Sequence, residues 1–147
     1  MIMTPAEDSM KTDSSFDLTS TYVFLQDGGR APAIEVTETF WRDLMSGSAA
    51  SPGASLVANG VGWLTAIYRF DRDTPTWEMH PAGDELLVLL SGAIDVVLES
   101  DGSNRIVALR EGRSCMVPRG TWHKQVVRTP GRELAITYGK GTQHRPV

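Results

Sequence analysis

The sequence predicts an all-β domain, an antiparallel sandwich or barrel, with one short helix ahead of it. Three observations carry this. From Leu56 onward, short β-forming runs recur at regular spacing, each closed by Gly, Pro or Asp. Asp27-Gly28-Gly29 stands between two earlier runs of β-formers, which is a hairpin or tight-loop signal. A helical spacing of apolar residues occurs once, in "TETFWRDLMSG".

The elements follow in order. Residues 1–17 are polar and poor in aromatics, and are expected to form a mobile tail. Thr37 is the expected N-cap of the helix; Phe40, Trp41, Leu44 and Met45 fall on one face before Gly47. "SGSAASPGAS" reads as a small-residue loop. "GWLTAIYRF" and "TWEMH" read as strands, and "PAGD" as a break. "ELLVLL" and "AIDVVLE" read as two strands joined at Ser91-Gly92. "RIVAL" follows, then two short strands around Pro118-Arg119-Gly120. "TPGR" is expected to turn the chain into "ELAITYG".

Composition narrows the function. The chain has 147 residues, enough to bury a core as one domain, 18–147. Net charge is −4 and no basic stripe appears, so nucleic acid is not an expected partner. No apolar run is long enough to span a bilayer, and the first residues lack a secretory signal. The single cysteine, Cys115, excludes an intramolecular disulfide and reads as a buried small hydrophobe; the expected compartment is the cytoplasm.

The chemistry gathers in "EMHPAGDELLVLLSG". Side chains alternate along a strand, so Glu78 and His80 share a face, and Trp77 shares the other with Met79. The PAGD turn lets Glu85 return to the same end of the sheet. In "TWHKQVV", His123 shares a face with Gln125 and Val127. Two imidazoles with one or two carboxylates are a donor set for a divalent first-row metal. Each of these residues alone has an ordinary structural reading; it is the combination that points to a metal. Leu87 and Leu89 share the parity of Glu85 and are expected to floor a pocket that Met116 and Gln125 also line. Trp63, Tyr68, Trp77 and Trp122 read as core or interface. His144 reads as a tail residue, unless the tail folds over the barrel mouth and brings His144 or Arg145 to a substrate.

These residues resemble the cupin superfamily. Its first motif is G-x5-H-x-H-x(3,4)-E-x6-G; this chain has Glu78-x-His80, then Glu85, then Gly92. Its second motif is G-x5-P-x-G-x2-H-x3-N; this chain has Gly112, Pro118, Gly120 and His123 at that spacing. The resemblance covers about residues 55–140. It implies a double-stranded β-helix (jelly-roll) barrel, here with a short N-terminal helix and extra N-terminal strands. Gly92 is expected to form a tight turn between two strands, Gly120 to take a positive φ, and Pro118 to sit at a strand end.

The chain departs from the motifs at Arg72 (for Gly), Val127 (for Asn) and Glu78, which stands where the family has its first metal-binding His. By resemblance the ligands are Glu78, His80, Glu85 and His123, and the metal is Fe(II), Mn(II), Ni(II) or Zn(II). Glu78 is either the fourth ligand or a catalytic general base whose pKa Glu85 would raise. The implied function is a metal-dependent enzyme of oxygenase (dioxygenase), isomerase or lyase type acting on a small oxygenated or aromatic molecule. The alternative is a non-catalytic small-ligand binding or sensing cupin with a degenerate or empty site. Apolar residues on both sheet faces lead us to expect a homodimer.

Overall fold

A computed structural model describes residues 14–47 and 51–147. The first thirteen residues of the expected tail lie outside it. At the near end, Asp17 Oδ1 accepts from the backbone N–H of Thr19 at 2.9 Å and closes the turn that leads into the first strand.

β1 (Thr21–Gln26) and β2 (Ala33–Glu35) form the expected hairpin across Gly28 and Gly29, both at φ 87. Helix α1 (Phe40–Ser46) and helix α2 (Pro52–Asn59) follow. Then come β3 (Gly62–Phe70), β4 (Thr76–Met79), β5 (Glu85–Ser100), β6 (Ser103–Arg110), β7 (Ser114–Val117), β8 (His123–Thr137) and β9 (Gln143–Pro146). All pairings are antiparallel. One sheet path runs β2-β1-β3-β8-β4-β9, while β5 joins β8 to β6 and β7. The pairing does not close into a ring.

Several expectations need correction. Two helices are present among the described residues, where one was expected. The second begins within the stretch read as a loop and runs on to Asn59, past Leu56, where strands were expected to start: Ser51 caps it, its Oγ accepting from Ala54 N–H at 3.4 Å, and Pro52 opens it. The first helix is capped at Thr39, not Thr37, and the Thr39 hydroxyl bonds the Asp43 carboxylate instead of the backbone. Of its apolar face only Phe40 is fully buried, and Leu44 packs half-buried against the same core.

The larger correction concerns Gly92 and "TPGR". Neither is a turn between separate strands. β5 and β8 run unbroken through both places, and their register shifts between Leu89 and Ile94. At Gly92 the backbone is left-handed (φ 85), and a Cβ there would meet Thr129 O at 2.6 Å and Pro130 O at 2.7 Å. Gly131 lies just as tightly against the Ser91 carbonyl. These are paired bulges that bend one long ribbon.

The bend has a large consequence. β5 and β8 pair from Glu85↔Thr137 at one end to Leu98↔His123 at the other. Laid straight, that ribbon is roughly 40 Å long. Yet Glu85 and His123 touch, with Oε1 and Nε2 3.3 Å apart. The ribbon is therefore folded back on itself. Its concave side encloses a core of Leu87, Leu89, Ile94, Val96, Leu109 and Val117, among others. A second core lies under the helices, where Tyr22, Phe24, Ile34 and Phe40 pack with Ala54 and Ala66.

Gly92→Ala is expected to destabilise the protein by about 2 kcal/mol or more, because positive φ and backbone clash combine. Gly102→Ala shares the positive φ (80) but has open space around it. It is expected to cost about 1 kcal/mol. Urea unfolding of the two variants checks the ordering.

Candidate metal centre and its cavity

The first motif's residues are placed by β4 and the turn after it. Strand alternation puts Glu78 and His80 on one face, and Glu78 is the direct cross-strand neighbour of His123. The turn at 81–84 reverses the chain so that Glu85 opens β5. The two motif turns lock onto one another. Gly120 N–H donates to His80 O at 2.9 Å, with Gly120 at the expected positive φ, 80. Asp84 Oδ1 accepts from Arg119 N–H at 2.7 Å.

Four donor atoms converge as a result. One from each of Glu78, His80, Glu85 and His123 lies within 4.8 Å of all the others. His80 Nε2 is 3.0 Å from Glu78 Oε1 and 3.4 Å from Glu85 Oε2. His123 Nε2 is 3.3 Å from Glu85 Oε1 and 3.8 Å from Glu78 Oε1. Donors about 2.1 Å from a common ion stand ~3.0 Å apart at right angles and ~4.2 Å apart when opposed, so the set fits a metal ion. His80 Nε2 is close to Glu78 but out of line for a hydrogen bond. It is buried with no hydrogen-bond partner among the described residues.

The surrounding groups fix which nitrogen faces inward. The Thr142 hydroxyl donates to Gly139 O at 2.7 Å, so it accepts from His80 Nδ1–H at 2.7 Å. His123 Nδ1 lies 3.2 Å from the Thr121 carbonyl, which can only accept. Both rings thus carry a proton on Nδ1, and in the neutral tautomer both Nε2 lone pairs point into the cluster. The Thr137 hydroxyl donates to Glu85 Oε2 at 2.5 Å. Glu78 is the most open of the four, and its Oε2 meets His144 Nε2 at 2.8 Å.

His144 is therefore not a loose tail residue. β9 pairs with β4 in the register Glu78↔His144 and closes this edge. Arg145 faces the opposite way, stacked over Trp122 at 4.5 Å and Trp77 at 5.2 Å. Both tryptophans face away from the cluster, as strand parity requires.

Burial opposes the charges of Glu78, His80 and Glu85, but their pairing overcomes it. Against burial, Glu78 and Glu85 raise His80 to about 9. Against burial, His123 and His80 pull Glu85 down to about 2. Glu78 is likewise lowered, because the two histidines outweigh burial and Glu85. Glu85 does push Glu78 up, as expected, but the histidines reverse the net direction.

The cluster opens into a cavity of about 850 Å³. Leu87 and Gln125 line it; Leu89 lies deeper, fully buried in the core. Met116 is half exposed on the outer face of its strand, opposite buried Cys115 and Val117, and does not line the cavity. Trp41, Leu44 and Met45 of α1 form part of the wall, facing Tyr68 and Phe70 of β3. Burial, then the charges of Tyr22 and Glu85, keep the Tyr68 phenol protonated. Glu133 was missed in the sequence. Its signal was available: it shares strand parity with Ala135 and Thr137, both of which line the cavity.

No family model matches this chain, and no curated protein does. Solved structures that match include cupin-domain proteins and cupin-family enzymes. A cupin-2 domain protein from Shewanella frigidimarina is 17% identical over 52% of this chain and 70% of its own, with a TM-score of 0.45. Oxalate decarboxylase of Bacillus subtilis, a protein with Mn(II) centres, is 19% identical over 58% of this chain, with a TM-score of 0.49. Hydroquinone 1,2-dioxygenase in complex with Cd²⁺ and 4-hydroxybenzonitrile is 20% identical over 54% of this chain, with a TM-score of 0.46. This chain spans 24% of the decarboxylase chain and 60% of the dioxygenase chain. Among the described residues no helix is long and apolar enough to cross a membrane.

Glu85→Gln is expected to destabilise the metal-free protein by on the order of 3 kcal/mol at pH 6, since it strands buried His80 and His123. Glu85 has a depressed pKa, so its stabilising effect is present above its unfolded value of 4.5 and lost as pH falls towards about 2. His80 has a raised pKa, so its share is present below 6.5 and lost as pH rises towards about 9. The gap between wild type and Glu85→Gln, read by urea unfolding in chelator, is expected to shrink from pH 6 to pH 3 and from pH 6 to pH 9.

Proposed function

We propose that this chain is a metal-dependent enzyme of oxygenase, isomerase or lyase type, acting on a small oxygenated or aromatic molecule held in the cavity. The observation that supports it most is the pair of imidazoles, each tied at Nδ1 so that Nε2 turns towards two carboxylates. His80, His123, Glu85 and Glu78 would hold the ion. A divalent metal there would supply Lewis acidity towards an oxygen function of the substrate.

The remaining groups have their own tasks. Thr142 and the Thr121 carbonyl orient the two rings. Thr137 holds one Glu85 oxygen. His144 holds Glu78 Oε2, which leaves Oε1 facing the histidines; this favours the ligand reading of Glu78 over the general base. A carboxylate in place of a neutral imidazole lowers the charge of the centre by one and suits Mn(II) or Fe(II). The wall of Trp41, Leu44, Tyr68 and Phe70 receives an apolar body and excludes water from it.

One observation favours a second reading. Without metal, the charges of His80 and Glu85 already support one another, His80 being raised to about 9 and Glu85 lowered to about 2. That balance suits a binding or sensing protein whose site needs no ion.

Metal content of tag-free protein separates the two. About one equivalent of a divalent first-row ion per chain, lost in His80→Ala, is expected. Substoichiometric metal unchanged by His80→Ala would sink the enzyme reading. His144→Ala is expected to weaken Mn(II) binding about 10- to 100-fold in calorimetry, the usual effect of removing a group that orients a ligand.

A further inference from the structure

We propose that Gln125 and Glu133 form a second polar subsite in the cavity, which receives a hydroxyl group of the molecule bound there. It rests on the reading that the cavity takes a small molecule, and it specifies that molecule further: an oxygen function at the metal end, a ring-sized body, and a hydroxyl at the far end.

Glu133 is 5% exposed, and no lysine or arginine pairs with it among the described residues. Its one hydrogen bond comes from Gln125 Nε2 to Oε2, at 3.1 Å. Its other oxygen and the Gln125 carbonyl oxygen have no hydrogen-bond partner among the described residues. Neither is among the buried side-chain atoms left without one, so both reach open space, and both residues line the cavity. A buried carboxyl held by one amide does not help the fold: its desolvation costs more than one neutral hydrogen bond returns. A group kept at that cost, with its free oxygen towards a cavity, is placed for a ligand.

The chemistry favours a hydroxyl. Burial, then the nearby charges of Glu85 and Glu78, raise Glu133 to about 7, so it is present both as acid and as carboxylate near neutrality. A hydroxyl donates to the carboxylate and accepts from the acid; an ammonium suits only the former. The protonated Tyr68 phenol stands beside it, as Tyr68 is the cross-strand neighbour of Glu133. Gln125 lies two residues from His123 on the same strand face, ~7 Å along the backbone. One six-membered ring bridges such a gap, and Leu87 and Phe70 line the cavity it would occupy.

Benzoate, 4-methylbenzoate and 4-hydroxybenzoate test this, by calorimetry on the full chain with and without Mn(II). The 4-hydroxy compound is expected to bind wild type about 10-fold more tightly than its methyl isostere, the value of one good hydrogen bond. The preference is expected to vanish in Gln125→Leu/Glu133→Leu and largely to survive in Glu133→Gln. Equal or stronger binding of the methyl compound to wild type overturns the subsite with no variant needed. A hydroxyl preference untouched by the double variant also overturns it, and binding of none of the three overturns the ligand class. The metal reading is judged separately: if Mn(II) changes no affinity, that reading fails while the hydroxyl preference still decides the subsite.

Discussion

Everything at the site depends on one constraint: the β5–β8 ribbon must fold back on itself. Its two ends carry Glu85 and His123, and pairing alone would hold them roughly 40 Å apart. The fold-back happens where Ser91-Gly92 faces Thr129-Pro130-Gly131. Both glycines sit where any Cβ would enter the opposite backbone. Proline adds to this by removing a ladder donor at the bend. With the ribbon folded, the inward parity of each half converges, and β4 needs only its short pairing with β8 to complete the set.

Convergence of four ionisable groups in a buried place raises an electrostatic question, and the sequence carries the answer in its departure from the cupin motif. The second carboxylate adds a partner for His80, whose charge is supported by both Glu78 and Glu85 against burial. The replacement at Glu78 has a counterpart on β9: His144 reaches across to β4 and holds the carboxylate that stands where the cupin motif has a histidine. Arg145, stacked between Trp77 and Trp122, secures the same strand from its other face. The C-terminal strand is thus part of the site's architecture.

The site was legible because two local rules sufficed. Strand parity placed Glu78 with His80, and the spacing of Gly112, Pro118, Gly120 and His123 named the second contributor. What was not legible had non-local causes. Ser91-Gly92 and Pro130-Gly131 use the same residues as a turn, and only the partner strand decides that they are bulges. α2 carried its own signal in Ser51-Pro52, but its small residues gave no amphipathic pattern. His144 is an unremarkable residue until β9 pairs with β4. Met116 was assigned inward, but strand parity on β7 gives the inward positions to Cys115 and Val117.

The same logic explains the exposed apolar face of α1. Trp41 and Met45 are 39% and 59% exposed, which on a free surface would be a liability. They stand at the cavity wall, opposite the polar cluster, with the Tyr22, Trp41 and Tyr68 rings in mutual contact at 5.8–6.0 Å. A cavity that is charged at one end, apolar along one side and polar again at Gln125 and Glu133 would discriminate by order as well as by composition. A molecule with the right groups in the wrong sequence would strand a buried carboxyl against hydrocarbon or press a ring against the cluster. Either mismatch costs more than a missing contact, because a buried polar group without its partner retains its full desolvation penalty. Selectivity in such a cavity would therefore be set chiefly by what each wall rejects.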